Sequence, residues 1–234
     1  MSPTDPGRSR IAVEHPKLYF AAHVVAGVLF TALLIWGFAS IADAVGDNGR
    51  IVAADNGLTH WIEGHDTEWG ESLFTGVSLL GAQVLAGIVV LAAILYARRR
   101  DWLRAAALPL ALASGAALNA LLKHLFHRGR PQFATEFIAH ASWSFPSGHA
   151  MESMVGYGML VGVTLHHLHS SRQRRLAISA AGLLIFLIGV SRVYLAVHYL
   201  TDVIAGWLAG AAWLFVCVTA YRFAERRRGL SSSA

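Results

Sequence analysis

Residues 18–42 read LYFAAHVVAGVLFTALLIWGFASIA, twenty-five residues without a single Asp, Glu, Lys or Arg. A helix of about 20 apolar residues can cross the roughly 30 Å hydrocarbon core of a bilayer. Further apolar runs occupy residues 73–97, 105–122, 148–168, 176–190 and 203–221. The pattern predicts an all-α, polytopic integral membrane protein with six transmembrane helices in one domain, residues 18–222.

The composition excludes a water-soluble globule. Of the 234 residues, 55% are hydrophobic and 14% are charged, whereas soluble domains average about 25% charged residues. The net charge of +5 does not point to nucleic acid, because the basic residues lie at the ends of apolar runs, as membrane topology requires. Cys217 is the only cysteine, which excludes an intrachain disulfide.

Arginine distribution predicts the orientation of the chain. Short cytoplasmic loops retain Lys and Arg, whereas translocated loops are poor in them. Arginines cluster in residues 98–104, 172–175 and 222–228, so we expect these segments to be cytoplasmic, together with the tails 1–17 and 223–234. Residues 43–72 carry Arg50 as their only Lys or Arg among seven acidic side chains. We expect this segment to be an outer loop, either a solvated one or one with a short amphipathic segment at the interface.

Three cations break this charge rule. Lys123, Arg128 and Arg130 lie in the stretch Lys-His-Leu-Phe-His-Arg-Gly-Arg-Pro, residues 123–131, on the outward side where cations are depleted. An anionic ligand would explain a cationic segment at this place.

Two further polar motifs share the outward face. Phe145-Pro146-Ser147-Gly148-His149 precedes the fourth span, and the N-terminus of a helix offers free N–H groups and a positive dipole end to an anion such as phosphate. The third motif lies between the fifth and sixth spans and contains Ser191, Arg192, His198 and Asp202. His198 and Asp202 are four residues apart, so they share one face if the stretch is helical.

Together these motifs resemble the signature of the type 2 phosphatidic acid phosphatase superfamily: Lys-x6-Arg-Pro, Pro-Ser-Gly-His and Ser-Arg-x5-His-x3-Asp. Every signature residue is present, in order, over residues 123–202. Soluble vanadium-dependent haloperoxidases carry the same signature, but six apolar spans favour the membrane branch. The resemblance implies a helical bundle of that family and a metal-independent phosphatase without a cofactor.

The resemblance also implies a role for each signature residue. His198 is expected to attack phosphorus, Asp202 to fix the tautomer of His198, and His149 to protonate the leaving oxygen and later activate water. The expected phosphate-binding residues are Lys123, Arg130, Ser147, Gly148 and Arg192.

Other polar residues lie near the motifs but outside the signature. Glu152 is just inside a span, where a carboxylate is costly, and it either contacts His149 or a substrate-side cation or has a structural role in the bundle. Arg128, His124, His127 and His140 either tune substrate binding or face water.

The resulting expectation is a lipid phosphate phosphatase in a bacterial plasma membrane, acting on the extracytoplasmic face. Undecaprenyl diphosphate is the leading candidate substrate, and phosphatidylglycerophosphate, phosphatidate and lipid A phosphate are alternatives. An organic phosphate transporter would need the same cations but neither a nucleophile nor an acid. A haem-binding cytochrome would need axial histidines within the spans, where His23 is the clearest candidate. The sequence predicts no oligomeric state.

The orientation can be tested by labelling a single cysteine. In a Cys217→Ala background, we expect Gln132→Cys to react with a membrane-impermeant maleimide from the extracytoplasmic side of intact cells. Labelling from the cytoplasmic side alone would contradict the predicted topology.

Overall fold

The computed structural model describes residues 16–132, 142–165, 168 and 170–231. Within these ranges the chain forms eight α-helices and no β-strand, so the predicted all-α class is confirmed. The helices are α1 Pro16–Gly46, α2 Arg50–Glu63, α3 Glu68–Leu79, α4 Gln83–Arg98, α5 Trp102–Phe126, α6 Gly148–Thr164, α7 Ser171–Tyr194 and α8 Leu200–Ser231.

The described helices include five segments that are long and apolar enough to cross a membrane. They are Val24–Gly46, Glu68–Arg98, Trp102–Phe126, Ser171–Tyr194 and Leu200–Arg228. Helix α6 has 17 residues, which corresponds to about 25 Å at a rise of 1.5 Å per residue and lies at the short end of the range for a spanning helix. The predicted six spans are therefore obtained when α3 and α4 count as one element and α6 counts as the sixth.

The outer surface of the bundle is apolar, as expected for a surface that contacts lipid. On α1, Leu29 and Trp36 expose 64% and 67% of their surface. In a water-soluble protein, burying side chains of this size would stabilise the fold by about 25 cal/mol per Å² of apolar area removed from water. Their exposure is therefore explained by a hydrocarbon environment around the bundle.

Helix α6 forms the centre of the bundle. It packs against α4, α5, α7 and α8, and its buried residues are Ala150, Met151, Ser153, Val155, Gly156, Tyr157, Met159 and Val163. Two of its glycines leave room for neighbouring side chains, since a Cβ on Gly156 would lie 2.7 Å from Leu85 and one on Gly158 would overlap Leu214.

Helix α8 approaches α6 through two glycines one turn apart. A Cβ on Gly206 would lie 2.7 Å from the Ser147 carbonyl oxygen, and one on Gly210 would lie 2.9 Å from the Met151 carbonyl oxygen. Small residues four apart allow helix backbones in membranes to approach closely. The start of α6 is thereby held against the first turns of α8.

The second predicted span, residues 73–97, is interrupted. Helix α3 ends at Leu79 and α4 begins at Gln83. The Tyr157 hydroxyl donates to the Leu80 carbonyl oxygen at 2.7 Å, so a carbonyl left free by the break is satisfied from α6. Broken helices are tolerated at membrane depth where other protein groups satisfy their backbone.

The segment expected as an outer loop, residues 43–72, is largely helical and contains α2. This helix buries Asp55, Thr59 and Ile62 and leaves Trp61 60% exposed. Its buried polar face, rather than its apolar residues alone, attaches it to the bundle. The N-terminal tail lies outside the described residues except for its last two positions, and the C-terminal tail continues α8 as far as Ser231.

Removing the space provided by Gly206 tests the importance of this helix contact. We expect Gly206→Ala to lower the free energy of unfolding by about 1–3 kcal/mol, because the added methyl group overpacks a closed contact. The measurement is the thermal midpoint in detergent. Gly182→Ala is the matched control, since a Cβ there meets no atom within 4 Å. Equal midpoints for the two variants would contradict the role of the Gly206 contact.

Candidate active site

The three motifs meet at one end of the bundle. Helices α5 and α7 end there, and helices α6 and α8 begin there. The other end of α5 carries Asp101 and Arg104, which form a salt-bridge network with Glu225 and Arg228 of α8. This salt-bridge network and the three motifs therefore lie at opposite ends of the bundle.

His198 and Asp202 form a buried pair. The side chains are 2% and 0% exposed, and His198 Nδ1 lies 3.4 Å from Asp202 Oδ2. Because α8 begins only at Leu200, the pair spans the start of this helix rather than sharing one helical face. Asp202 Oδ2 also accepts the Tyr199 backbone N–H at 3.0 Å. This arrangement leaves His198 Nε2 directed away from the carboxylate.

The environment of His198 keeps its ring neutral. Burial lowers the pKa of His198 to about 4, although the hydrogen bond and the charge of Asp202 oppose this shift. An unperturbed histidine has a pKa of about 6.5. At pH 7 the imidazole is therefore uncharged, as a nucleophile requires.

Arg130 faces the free nitrogen of His198. Its Nη1 lies 3.5 Å from His198 Nε2 and donates to the Val197 carbonyl oxygen at 2.8 Å. Burial lowers the pKa of Arg130 while the charge of Asp202 opposes the shift, and a guanidinium stays protonated in proteins. A cation is thus fixed beside the nitrogen that an anionic group would approach.

Lys123 and Arg130 both contact residues 142–143. Lys123 Nζ donates to the Trp143 carbonyl oxygen at 2.6 Å, and Arg130 Nη2 donates to Ser142 Oγ at 2.9 Å. Lys123 Nζ also lies 3.4 Å from that hydroxyl. Residues 142–143 therefore hold Lys123 and Arg130 at the site.

The start of α6 forms the second side of the site. Ser147 is the N-cap residue, but its side chain makes no capping bond, and its buried hydroxyl has no partner. A Cβ on Gly148 would lie 3.2 Å from Asn119 Oδ1. The glycine therefore allows the helix start to lie close to α5, with its first N–H groups free to bind an anion.

Arg192, His149 and Glu152 complete the group of expected residues. Arg192 Nη1 donates to Ser78 Oγ at the break between α3 and α4, and its buried Nε has no partner. His149 also borders this break, since its Cδ2 lies 3.2 Å from the position of a Cβ on Gly81. Glu152 lies beside Gly148 and interacts electrostatically with Lys123.

Three residues at the site were not assigned a role from the sequence. Arg128 donates to Asp202 Oδ1 at 2.6 Å and to Asp55 Oδ2 at 2.8 Å. Ser144 donates to Asp202 Oδ2 and lies 3.3 Å from His198 Nδ1. Arg128 carries a sequence signal, as a cation on a cation-poor face, but Asp55 and Ser144 have none. His140 lies outside the described residues.

The arrangement can bind an anion next to a nucleophilic nitrogen. Two buried donors, Ser147 Oγ and Arg192 Nε, have no partner, and unsatisfied buried donors are costly unless a ligand uses them. Among the residues that the structure describes, no group of three or more His, Cys, Asp or Glu side chains could hold a metal ion. The fold and the site together define a membrane protein with a group of cations and free N–H donors beside a neutral, buried histidine.

Comparisons with known proteins agree with this class. The PAP2 superfamily pattern matches residues 104–226. Phosphatidylglycerophosphatase B of Bacillus subtilis strain 168 is 34% identical over 151 residues, which cover 63% of this chain and 73% of that protein. This chain belongs to the PAP2 superfamily, and it is a membrane phosphatase of the PAP2 type.

Two solved structures share the fold. The transmembrane PAP2-type phosphatidylglycerolphosphate phosphatase of Bacillus subtilis has a TM-score of 0.74 and 30% identity, covering 84% of this chain and 96% of that one. LpxE of Aquifex aeolicus has a TM-score of 0.51 and 25% identity, covering 70% of this chain and 92% of that one. The family and the PAP2-like bundle predicted from the signature are confirmed.

The lowered pKa of His198 predicts the pH dependence of phosphate release. Because the neutral form of His198 in the free protein persists until the pH falls to about 4, kcat/KM, which reports groups of the free enzyme, should show no acid limb near pH 6.5. The profile is measured with two substrates whose phosphate groups differ in pKa, so that a shared limb belongs to the enzyme. Reassay at pH 7.5 after incubation at pH 5 controls for unfolding. A shared limb near pH 6.5 would show that His198 titrates normally.

Proposed function

We propose that this protein hydrolyses a membrane lipid phosphate through a phosphohistidine intermediate on His198. The observation that carries the proposal is the buried His198–Asp202 pair, whose free Nε2 faces Arg130 at 3.5 Å. A phosphate group placed there would meet Arg130 and two donors that now lack partners, Ser147 Oγ and Arg192 Nε. Donors fixed in advance around a transferring phosphoryl group stabilise its transition state.

In the first step, His198 Nε2 forms a bond to phosphorus while the bond from phosphorus to the lipid oxygen breaks. His149 donates a proton to that oxygen, so the lipid leaves as a neutral alcohol or a protonated lipid phosphate. The Nδ1 proton of His198 stays directed at Asp202, which stabilises the positive charge that the ring acquires.

In the second step, water attacks the phosphohistidine and His149 takes its proton. The bond from Nε2 to phosphorus breaks, inorganic phosphate leaves, and His198 returns to its neutral form. His149 loses this proton when phosphate leaves and takes up another when the next substrate binds. The same residue thus acts as acid and then as base, as microscopic reversibility requires.

Bound phosphate would favour the protonated form of His149. Arg192, Lys123 and Arg130 place positive charge around this histidine. A phosphate dianion offsets these charges when it binds. The acid is therefore expected to become charged in the complex with substrate rather than in the free protein.

Apolar furrows on the surface of the bundle favour a lipid over a water-soluble phosphate. One furrow of about 280 Å³ lies between α1, α5 and α8 and includes Phe38, Leu122 and Leu208. It shares Thr31 with a second furrow of about 640 Å³, which reaches Phe223. Along α8, the fifteen helical steps from Leu208 to Phe223 correspond to about 22 Å. A lipid chain could lie there while its headgroup reaches the helix ends.

The names of the relatives make phosphatidylglycerophosphate the substrate to test first. Undecaprenyl diphosphate, the leading candidate from the sequence, is kept because the combined furrow of about 22 Å is longer than half of a 30 Å hydrocarbon core. Phosphatidate and lipid A phosphate belong to the same chemical class. A transporter would bind the same anions, but it has no use for a buried histidine–carboxylate pair.

We also propose that the site faces the extracytoplasmic side and that both termini are cytoplasmic. The support is the separation between the motif-bearing helix ends and the arginine-rich end with Arg98, Arg104 and Arg228. Cytoplasmic ends retain arginine. A lipid substrate would then be hydrolysed in the outer leaflet of a bacterial plasma membrane.

The proposal is tested by lipid release in a single turnover. The purified protein is assayed in detergent with excess chelator against phosphatidylglycerophosphate, phosphatidate and an isoprenyl diphosphate. We expect wild type to release lipid in a burst from at least one of them, vanadate to inhibit, and His198→Ala to show no burst. A burst in His198→Ala, or activity that chelation removes and zinc or magnesium restores, would overturn the mechanism.

The dependence of the burst rate on the leaving group distinguishes the role of His149 from that of His198. An alkoxide from phosphatidate needs a proton more than a lipid monophosphate from a diphosphate does. General acid catalysis contributes about 10²–10⁴-fold, so His149→Ala should reduce the burst rate more for phosphatidate than for the isoprenyl diphosphate. Equal defects with both substrates would remove the acid role of His149.

A further inference from the structure

A buried ion network lies behind the proposed nucleophile. Arg128 bridges two carboxylates from distant parts of the chain, Asp202 at 2.6 Å and Asp55 at 2.8 Å. The side chains of Arg128, Asp55 and Asp202 are 10%, 3% and 0% exposed. Asp55 belongs to α2, the helix in the predicted outer loop. The network therefore connects this outer helix to the first turn of α8.

Both carboxylate oxygens of Asp55 and both terminal nitrogens of Arg128 make hydrogen bonds within this network. Asp55 accepts from Arg128 and from both the backbone N–H and the hydroxyl of Thr201. Arg128 also donates to Thr201 Oγ1 at 2.7 Å, and its guanidinium carbon lies 4.1 Å from the centre of the Tyr199 ring. Both terminal nitrogens of Arg128 thus point to protein acceptors, in contrast to Arg130, which faces His198 Nε2.

The partners of Asp202 explain what the network does. Its Oδ1 is held by Arg128, and its Oδ2 is shared by Ser144, His198 and the Tyr199 N–H. Ser144 is itself fixed to the same segment, because its backbone N–H donates to the Arg128 carbonyl oxygen at 2.8 Å. Without Arg128, half of the Asp202 carboxylate would lose its partner, and the group could rotate away from His198.

We propose that Arg128, anchored by Asp55, is a positioning residue that fixes Asp202 and thereby orients His198 for attack. The inference rests on the proposed role of His198. It assigns a function to α2, whose buried carboxylate holds the guanidinium from the side opposite the reacting phosphate. Burying such charges is not an efficient way to stabilise a fold, since well-packed apolar residues often do as well or better.

The test compares Arg128→Gln and Asp55→Asn with a matched control. Arg104→Gln removes an arginine of the same kind, one that bridges Asp101 and Glu225 at the opposite end of the bundle. Partners that orient a metal-bound histidine commonly contribute about 10–100-fold to metal affinity or activity, and we expect an effect of the same order for a histidine oriented by a carboxylate. We expect kcat to fall by about that factor in Arg128→Gln and by less in Asp55→Asn, with the KM of each within about twofold of wild type. Arg104→Gln should retain the wild-type kcat.

Vanadate inhibition distinguishes positioning from phosphate binding. Because Arg128 does not face the phosphate site, the vanadate inhibition constant of Arg128→Gln should stay within about twofold of wild type, whereas Arg130→Gln should weaken inhibition clearly. Arg128→Lys should recover only part of kcat, since a point charge cannot bridge two carboxylates as a planar fork does. An unchanged kcat in Arg128→Gln, full recovery by lysine, or parallel loss of kcat and vanadate binding would each overturn the inference.

A charge-matched variant covers the case in which Arg128→Gln does not fold. Asp55→Asn combined with Arg128→Gln removes one charge of each sign, so the net buried charge is unchanged. It should show the same kcat loss with intact vanadate inhibition, and a wild-type kcat in this variant would refute the positioning role. If wild type releases no phosphate, or His198→Ala retains the burst, the proposed function itself has failed and the inference falls with it.

Discussion

Asp202 is a carboxylate with no exposed surface, and its buried charge is the constraint on which the rest of the site depends. An ionised group removed from water must be paired and hydrogen-bonded, because its desolvation otherwise costs more than a fold can supply. The partners of Asp202 come from separate elements: Arg128 after α5, Ser144 before α6, and His198 before α8. Satisfying this one carboxylate therefore brings the three motif-bearing segments together.

The bilayer made most of the fold predictable from the sequence. Apolar runs were visible because a spanning helix must present hydrocarbon-compatible side chains over its whole length. The ends of the helices were less visible, since helix α7 starts at Ser171 with a Ser170–Gln173 capping box, well before the apolar run at 176–190. The break at residues 80–82 gave no hydropathy signal, because its support comes from Tyr157 on α6 and from the contact between Arg192 and Ser78.

The residues of the site likewise include some that could be predicted from the sequence and some that could not. The residues of the signature could be selected because together they resemble the signature of a known superfamily, and because three motifs on one membrane face are unlike a set of unrelated interface anchors. Asp55 could not be selected, because an acidic residue in an acidic outer segment is ordinarily solvated. Its partner Arg128 is 73 positions away, and only the packing of α2 on the bundle brings them into contact. Ser144 is equally ordinary in the sequence, and it gains its role from lying between His198 and Asp202.

Two parts of the site are held in different ways. The Ser147 backbone N–H donates to the Asp202 carbonyl oxygen at 2.9 Å, and Gly206 lets α8 touch the same residue. The start of α6 and the segment that carries His198 and Asp202 are thus fixed to each other by the backbone. Lys123 and Arg130 are instead held through their own side chains, which contact residues 142–143 and, for Arg130, the Val197 carbonyl oxygen. In the proposed reaction the phosphoryl group, which is the same in every substrate, would meet both parts, whereas the variable lipid would meet the apolar furrow along α1.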